Sequence, residues 1–209
     1  MTKTAKRSPI KECDVRGAYP SEVNEPLFEK LGHNFGQIVA ETQFDGCQPM
    51  TAVVGGDARP STAKLKQCII TGLTANKVNV IHLSGVVPTP VIYWAKERKQ
   101  AQAAAIVTAS HSPPDWNGLK VMNGNLPPTA DDIKQLASNL DDDSAGLPGA
   151  VEFWDDAVES YITEKTALFA GIELAQTKIV VDPGNGCQVD VASKILKNLG
   201  AQVTAINDR

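Results

Sequence analysis

A hydroxyl, an imidazole and an ammonium share one short segment of this chain, Thr108-Ala-Ser-His-Ser-Pro-Pro-Asp-Trp-Asn-Gly-Leu-Lys120. The apolar run Ala104-Ala-Ile-Val107 precedes it directly, so the segment reads as a loop leaving the carboxyl end of a buried strand. Open α/β sheets place their chemistry at that edge. Pro113 and Pro114 restrict φ and remove backbone donors, while Gly118 lets the chain turn back, so the loop is stiff. Stiffness is what a nucleophile needs if it must be held for in-line transfer, and Ser110 is the candidate, with His111 and Lys120 as nearby donors. Spacing alone leaves a second reading open, a surface turn with an incidental serine, because serine motifs do not transfer between families. His111 is expected to lie out of reach as a base, since adjacent side chains diverge in an extended loop; this argues against a Ser–His hydrolase.

The elements that must position this loop follow from periodicity. Residues 26–39 read as a helix with Leu27, Phe28, Leu31 and Phe35 along one face. Residues 51–54 form a buried strand that Gly55-Gly56 releases into a polar turn, and Ser61 or Thr62 caps a helix reaching Asn76. A strand at 78–83, a proline-initiated helix at 88–99 and the strand at 104–107 follow. Leu119 to Met122 predicts a short return strand, and Thr129-Ala-Asp-Asp132 a capping box opening a helix to Leu140. The acidic, Gly/Pro-rich stretch 141–149 reads as an interdomain link with the boundary near Gly149. Its three adjacent aspartates do not converge on one ion from an extended chain, which disfavours a metal site there. A long amphipathic helix over 153–170 is then expected, followed by strand 178–182, helix 189–199 and strand 202–206. Alternation of this kind predicts α/β layers, a mixed sheet sandwiched by helices in residues 1–149 and the start of a second α/β domain in 150–209.

The serine segment is similar to the phosphoserine loop of the α-D-phosphohexomutases, the phosphomannomutase/phosphoglucomutase family, whose pattern there is T-A-S-H-N-P-x-x-x-N-G-x-K. Further segments agree in order. Cys13-Asp-Val-Arg-Gly17 resembles Y-D-I-R-G, Gly55-Gly-Asp-Ala-Arg-Pro-Ser61 resembles G-x-D-x-R-x-S, and Val86-Val-Pro-Thr-Pro90 resembles V-x-P-T-P. Lys178-Ile-Val-Val-Asp-Pro-Gly-Asn-Gly186 resembles the opening strand and turn of that family's second domain.

The resemblance implies that Ser110 carries a phosphoryl group between the 1- and 6-positions of a glucose or mannose phosphate, through a hexose 1,6-bisphosphate that also primes the enzyme. It places Arg16, His111 and Lys120 around the phosphoserine, with Arg16 and Lys120 assisting proton movement at the sugar hydroxyl. Arg16 and Lys120 also read, on the residues alone, as ordinary surface charges. Asp57 and Arg59 are expected to form an ion pair holding the loop from beneath, as structural residues. Mg²⁺ is expected on the phosphoserine oxygen and three aspartates of a D-G-D-G-D loop that this sequence does not contain. The other metal ligands and the sugar-binding residues are therefore expected beyond Arg209, and the chain, read as an N-terminal portion, is expected not to turn over alone. Ser112 stands where the family has asparagine and Cys13 where it often has tyrosine, departures expected to lower activity without changing the reaction. Glucosamine phosphate is the less expected substrate, because relatives acting on it usually diverge after the histidine.

Composition narrows the partners. A net charge of -4 with pI ≈ 5.4 argues against nucleic acid, and the basic patch from Lys3 to Arg7 reads as a solvated tail. No apolar run is long enough for a membrane span and no secretory signal opens the chain. Cys13, Cys47, Cys68 and Cys187 are scattered without a C-x-x-C pair, which fits a reducing, cytoplasmic setting and small hexose phosphates as partners. Two rival readings remain. One is a sugar-phosphate-binding module without catalysis. The other is a dinucleotide-binding protein, suggested by Gly184-Asn-Gly186 after a strand and Asp208 farther on, but Val189 stands at the third glycine position and Pro183 intrudes.

Overall fold

The computed structural model describes residues 8–42, 49–138 and 147–209. Its first elements are β1 (Val15–Ala18), α1 (Glu25–Glu41), β2 (Thr51–Gly56), α2 (Thr62–Ala75), β3 (Asn79–Leu83), α3 (Thr89–Arg98) and β4 (Ala103–Val107). Then come β5 (Trp116–Asn123), α4 (Ala130–Leu136), β6 (Val151–Trp154), α5 (Ala157–Leu168), β7 (Lys178–Val181), α6 (Val191–Asn198) and β8 (Gln202–Ala205). Six strands form one mixed sheet in the order β1-β5-β4-β2-β3-β6, in which β4, β2, β3 and β6 pair in parallel and β5 runs antiparallel to both of its neighbours, β4 and β1. The predicted fold class, a mixed α/β sheet between helices, is the fold observed.

Burial on both faces explains the composition of the middle strands. Every residue of β4, Ala103 to Val107, is buried, and its small side chains let helices approach from either side. On one face Phe28, Leu31 and Phe35 of α1 and Leu65, Ile69 and Leu73 of α2 cover Val54 and Val80. On the other, Val91, Ile92 and Ala95 of α3 and Ala157 of α5 cover Val53, Ile81, Leu83 and Ile106. Asn24 starts α1 by accepting from Leu27 N at 3.1 Å, and the Thr129–Asp132 capping box starts α4.

Four local expectations are corrected. Gly55 and Gly56 stay within β2, paired with Ile106 and Val107, because the parallel register with β4 continues to the end of the sheet. Ser61 sits at the helix-start position of α2 but makes no cap; its Oγ accepts from Asn117 Nδ2 at 2.8 Å instead. The return strand β5 is longer than predicted and begins at Trp116, since antiparallel pairing with β1 as well as β4 carries it back to the loop. The helix expected from residue 153 starts only at Ala157. The residues before it form β6, which pairs with β3 through Val80 N to Ala150 O (2.8 Å) and Ser84 N to Trp154 O (3.3 Å). The aspartates at 141–143, Cys47 and the patch from Lys3 to Arg7 lie outside the described residues.

Beyond β6, α5 packs on α3, with Trp94 against Trp154 and Tyr161. The strands β7 and β8 form a separate parallel pair, with α6 joining them and bonded to α5 through Lys194 and Glu159. This strand–helix–strand unit follows the predicted order within a residue or two of the expected ends.

Candidate active site

The loop after β4 leaves a tightly bonded backbone frame. Thr108 N donates to Gly118 O at 2.9 Å and Asp57 N to Val107 O at 3.1 Å, joining β4 to the ends of β5 and β2. Gly118 is required there by close approach: a Cβ would press on Val15 O and lie 2.8 Å from Thr108 O. Behind it Asn117 is fully buried and satisfied, donating to Ser61 Oγ (2.8 Å) and Thr62 Oγ1 (3.1 Å) and accepting from Gly118 N (2.8 Å).

Beneath the loop sit Asp57 and Arg59, each side chain 11% exposed. Arg59 Nε donates to Asp57 Oδ2 at 3.0 Å. The rest of the guanidinium donates to loop carbonyls: Nη2 to Ser110 O (3.1 Å) and Ser112 O (2.8 Å), Nη1 to Trp116 O (2.9 Å) and to Pro113 O. Asp57 Oδ1 accepts from Thr62 Oγ1 at 2.8 Å and from Arg59 N at 3.1 Å, and Thr108 Oγ1 donates to Oδ2 at 2.7 Å.

Ser110 has φ 57, in the left-handed region that non-glycine residues rarely adopt. Its Oγ lies 3.1 Å from His111 Nδ1. The expectation that His111 stays out of reach is thus corrected, because the left-handed turn at Ser110 ends the extended geometry on which it rested. Among the described residues no side chain orients the other nitrogen of His111, so a Ser–His–acid triad does not form.

Ser110 and His111 open onto a cavity of 630 Å³. Asp57, Arg59 and Thr108 form its floor, and the turn Pro183 to Gln188, between β7 and α6, forms the facing wall. In that turn Gly184 and Asn185 both have positive φ (60 and 53). It is tied by Gly184 N to Asp182 Oδ1 (2.9 Å), Asn185 N to Asn207 O (2.6 Å) and Asn207 Nδ2 to Asp182 Oδ2 (3.0 Å). Burial and the Asp57 carboxylate push the Cys187 thiol upward from its ordinary pKa, so it faces the cavity as a neutral thiol. The Pro-Gly-Asn-Gly run was the sequence signal for this wall, but only folding shows that it meets the serine loop.

The remaining candidates are not brought to Ser110 in the same way. Arg16 pairs with Asp14, and its buried Nε has no hydrogen-bond partner. Strand alternation and the Arg16↔Gly118 register put Arg16 and Lys120 on one face of adjacent strands. Neither borders the cavity, and among the described residues no hydrogen bond or ion pair joins either to Ser110. The residues present also do not make a magnesium site. No three His, Cys, Asp or Glu side chains converge among the described residues, and Asp57, the one carboxylate lining the cavity, has both oxygens engaged.

Comparison with known proteins bears on this arrangement. The family described as Phosphoglucomutase/phosphomannomutase, alpha/beta/alpha domain I, matches residues 8–145. A phosphoglucosamine mutase of Pelotomaculum thermopropionicum is 29% identical over 203 residues, covering 93% of this chain and 44% of the relative. A phosphoglucomutase/phosphomannomutase of Thermococcus kodakarensis is 30% identical over 200 residues, covering 92% of this chain and 43% of the relative. The crystal structure of a phosphoglucomutase/phosphomannomutase family protein from Burkholderia thailandensis superposes with a TM-score of 0.80 at 28% identity, covering 96% of this chain and 44% of that one. The chain spans less than half the length of the curated relatives it matches. Relatives named for glucosamine phosphate are among them, so the expectation that set this sugar aside draws no support from the comparison. With the matched domain covering the β4 loop, the Asp57–Arg59 pair and strands β1 to β5 of the sheet that carries them, this chain belongs to the phosphoglucomutase/phosphomannomutase family.

Proposed function

We propose that Ser110 is the phosphoryl carrier of a phosphohexomutase, which moves a phosphoryl group reversibly between O1 and O6 of a hexose phosphate. In this reading the Oγ–P bond of phosphorylated Ser110 breaks as a sugar hydroxyl oxygen bonds to phosphorus. The hydroxyl proton passes to the freed Oγ of Ser110, and a hexose 1,6-bisphosphate results. After the sugar turns over, its other phosphoryl group returns to Oγ and the proton goes back to the freed sugar oxygen. His111, 3.1 Å from Oγ, is placed to hold a proton there, while Arg16 and Lys120 are the reserve cations of the adjoining strands.

The observation that carries this reading is Ser110 itself. It is a non-glycine residue held at φ 57, with its hydroxyl on a cavity large enough for a sugar phosphate. Magnesium, which the family resemblance implies, would need ligands other than the described carboxylates. For that reason sustained turnover by these residues alone is not expected. Mannose and glucose phosphates are the proposed substrates, handled in the cytoplasm; no helix of the described residues is long and apolar enough to cross a membrane.

The test is to load the chain with phosphoryl from a hexose 1,6-bisphosphate, then offer mannose 1-, glucose 1- or glucosamine 1-phosphate and follow loss of protein phosphate by intact mass. Discharge onto mannose or glucose phosphate with formation of bisphosphate is expected. Binding of all three sugars without any loading of the serine would establish the rival reading, a module that only senses sugar phosphate.

A further inference from the structure

We propose that the Asp57–Arg59 pair and Thr108 form a closed hydrogen-bonded ring around the backbone of Ser110, making all three positioning residues, and that Arg59 is not a ligand for the substrate phosphate. This rests on the assignment of Ser110 as the phosphoryl carrier.

The ring can be followed atom by atom. Ser110 N donates to Thr108 Oγ1 at 3.0 Å, and that hydroxyl donates to Asp57 Oδ2 at 2.7 Å. The same carboxylate oxygen accepts from Arg59 Nε at 3.0 Å, and Arg59 Nη2 returns to Ser110 O at 3.1 Å. Both peptide groups of the nucleophile are therefore tied to the two ends of one ion pair. A residue at φ 57 relaxes toward negative φ unless its surroundings over-determine it, and this ring supplies that constraint.

Arg59 lines the cavity, so the obvious reading is a cation that grips phosphate. Donor accounting argues otherwise. A guanidinium has five N–H groups, and here one goes to Asp57 and the other four to the carbonyls of Ser110, Ser112, Pro113 and Trp116. None is left for a ligand while the loop is in place. A lysine has one compact ammonium and cannot span these carbonyls, so Arg59→Lys keeps the charge but loses the ring.

The variants are Arg59→Gln, Arg59→Lys, Thr108→Val and Thr108→Ser in the full chain, with retained fold checked by circular dichroism. Two readouts are taken: the rate and half-saturating concentration of Ser110 loading by a hexose 1,6-bisphosphate, and hydrogen exchange of the Ser110 amide by NMR. Both Arg59 variants are expected to load about a hundredfold more slowly with half-saturation changed less than about threefold, because misplacement and not binding is lost. The Ser110 amide should exchange roughly tenfold faster in Arg59→Gln and in Thr108→Val, and Thr108→Ser should restore it. Near-normal loading in Arg59→Lys together with a large rise in half-saturation in Arg59→Gln would overturn the proposal in favour of phosphate gripping. Unchanged amide exchange in Arg59→Gln and Thr108→Val would overturn it as well. If the parent chain takes up no phosphoryl group at all, the carrier assignment fails, while the exchange readout still decides the ring.

Discussion

Two turns face each other across the cavity, and they are built alike but held differently. Each leaves the carboxyl end of a parallel strand, β4 in one case and β7 in the other, and each carries a non-glycine residue with positive φ, Ser110 and Asn185. The serine turn is fixed from beneath by an ion pair that is 11% exposed and bonded to four of its carbonyls. The 183–188 turn is held through the exposed side chain of Asp182, to which Gly184 N and Asn207 Nδ2 donate. Hydrogen bonding is thus denser beneath the serine turn, where the proposed carrier would have to be held to a fraction of an ångström.

The comparison is sharpest at two glycines. Gly118→Ala should be the most damaging, costing about 3 kcal/mol by the overpacking scale, because its Cβ would meet the backbone oxygens of Val15 and Thr108, which cannot step aside. Urea unfolding of the purified variant measures it. Gly184→Ala adds a Cβ into open space and bears only the cost of its left-handed φ, about 1 kcal/mol on the same measurement. A larger loss at Gly184 than at Gly118 would reverse the contrast between the two walls.

Between these lies Asp57→Asn. It leaves the buried guanidinium without its charge partner and is expected to cost about 2 kcal/mol, somewhat below the usual range for a fully buried pair because the pair is not wholly dry. The smallest effect is expected at Lys194→Ala. Its ion pair with Glu159 ties α6 to α5, but the side chains are 43% and 59% exposed, so the change in unfolding free energy should stay within about 0.5 kcal/mol.

The sequence made the sheet and the serine loop legible for a physical reason. Buried parallel strands such as Ala103–Val107 read as continuous apolar runs, and Pro113 and Pro114 mark the loop that follows this one. Edge and contact features were harder. β6 is a four-residue edge strand with Val151 and Phe153 exposed, so it lacks a buried run, and its apolar residues merge by periodicity with α5. Ser61 has the right residue type and place for a helix cap, yet Asn117, distant in sequence, claims its hydroxyl. The meeting of Ser110 with His111 depends on one backbone angle that residue identity does not set. Arg59 was legible as a partner for Asp57, but that its fork spans the loop carbonyls is a fact of three dimensions.

Phosphoryl uptake from a hexose 1,6-bisphosphate, mapped by tandem mass spectrometry in the parent chain and in Ser110→Ala, bears most directly on the central claim. The expected result is a single phosphoryl group on residue 110 in the parent and none in the variant. Equal uptake by Ser110→Ala, or a parent modified only at another residue, would contradict the role given to this hydroxyl.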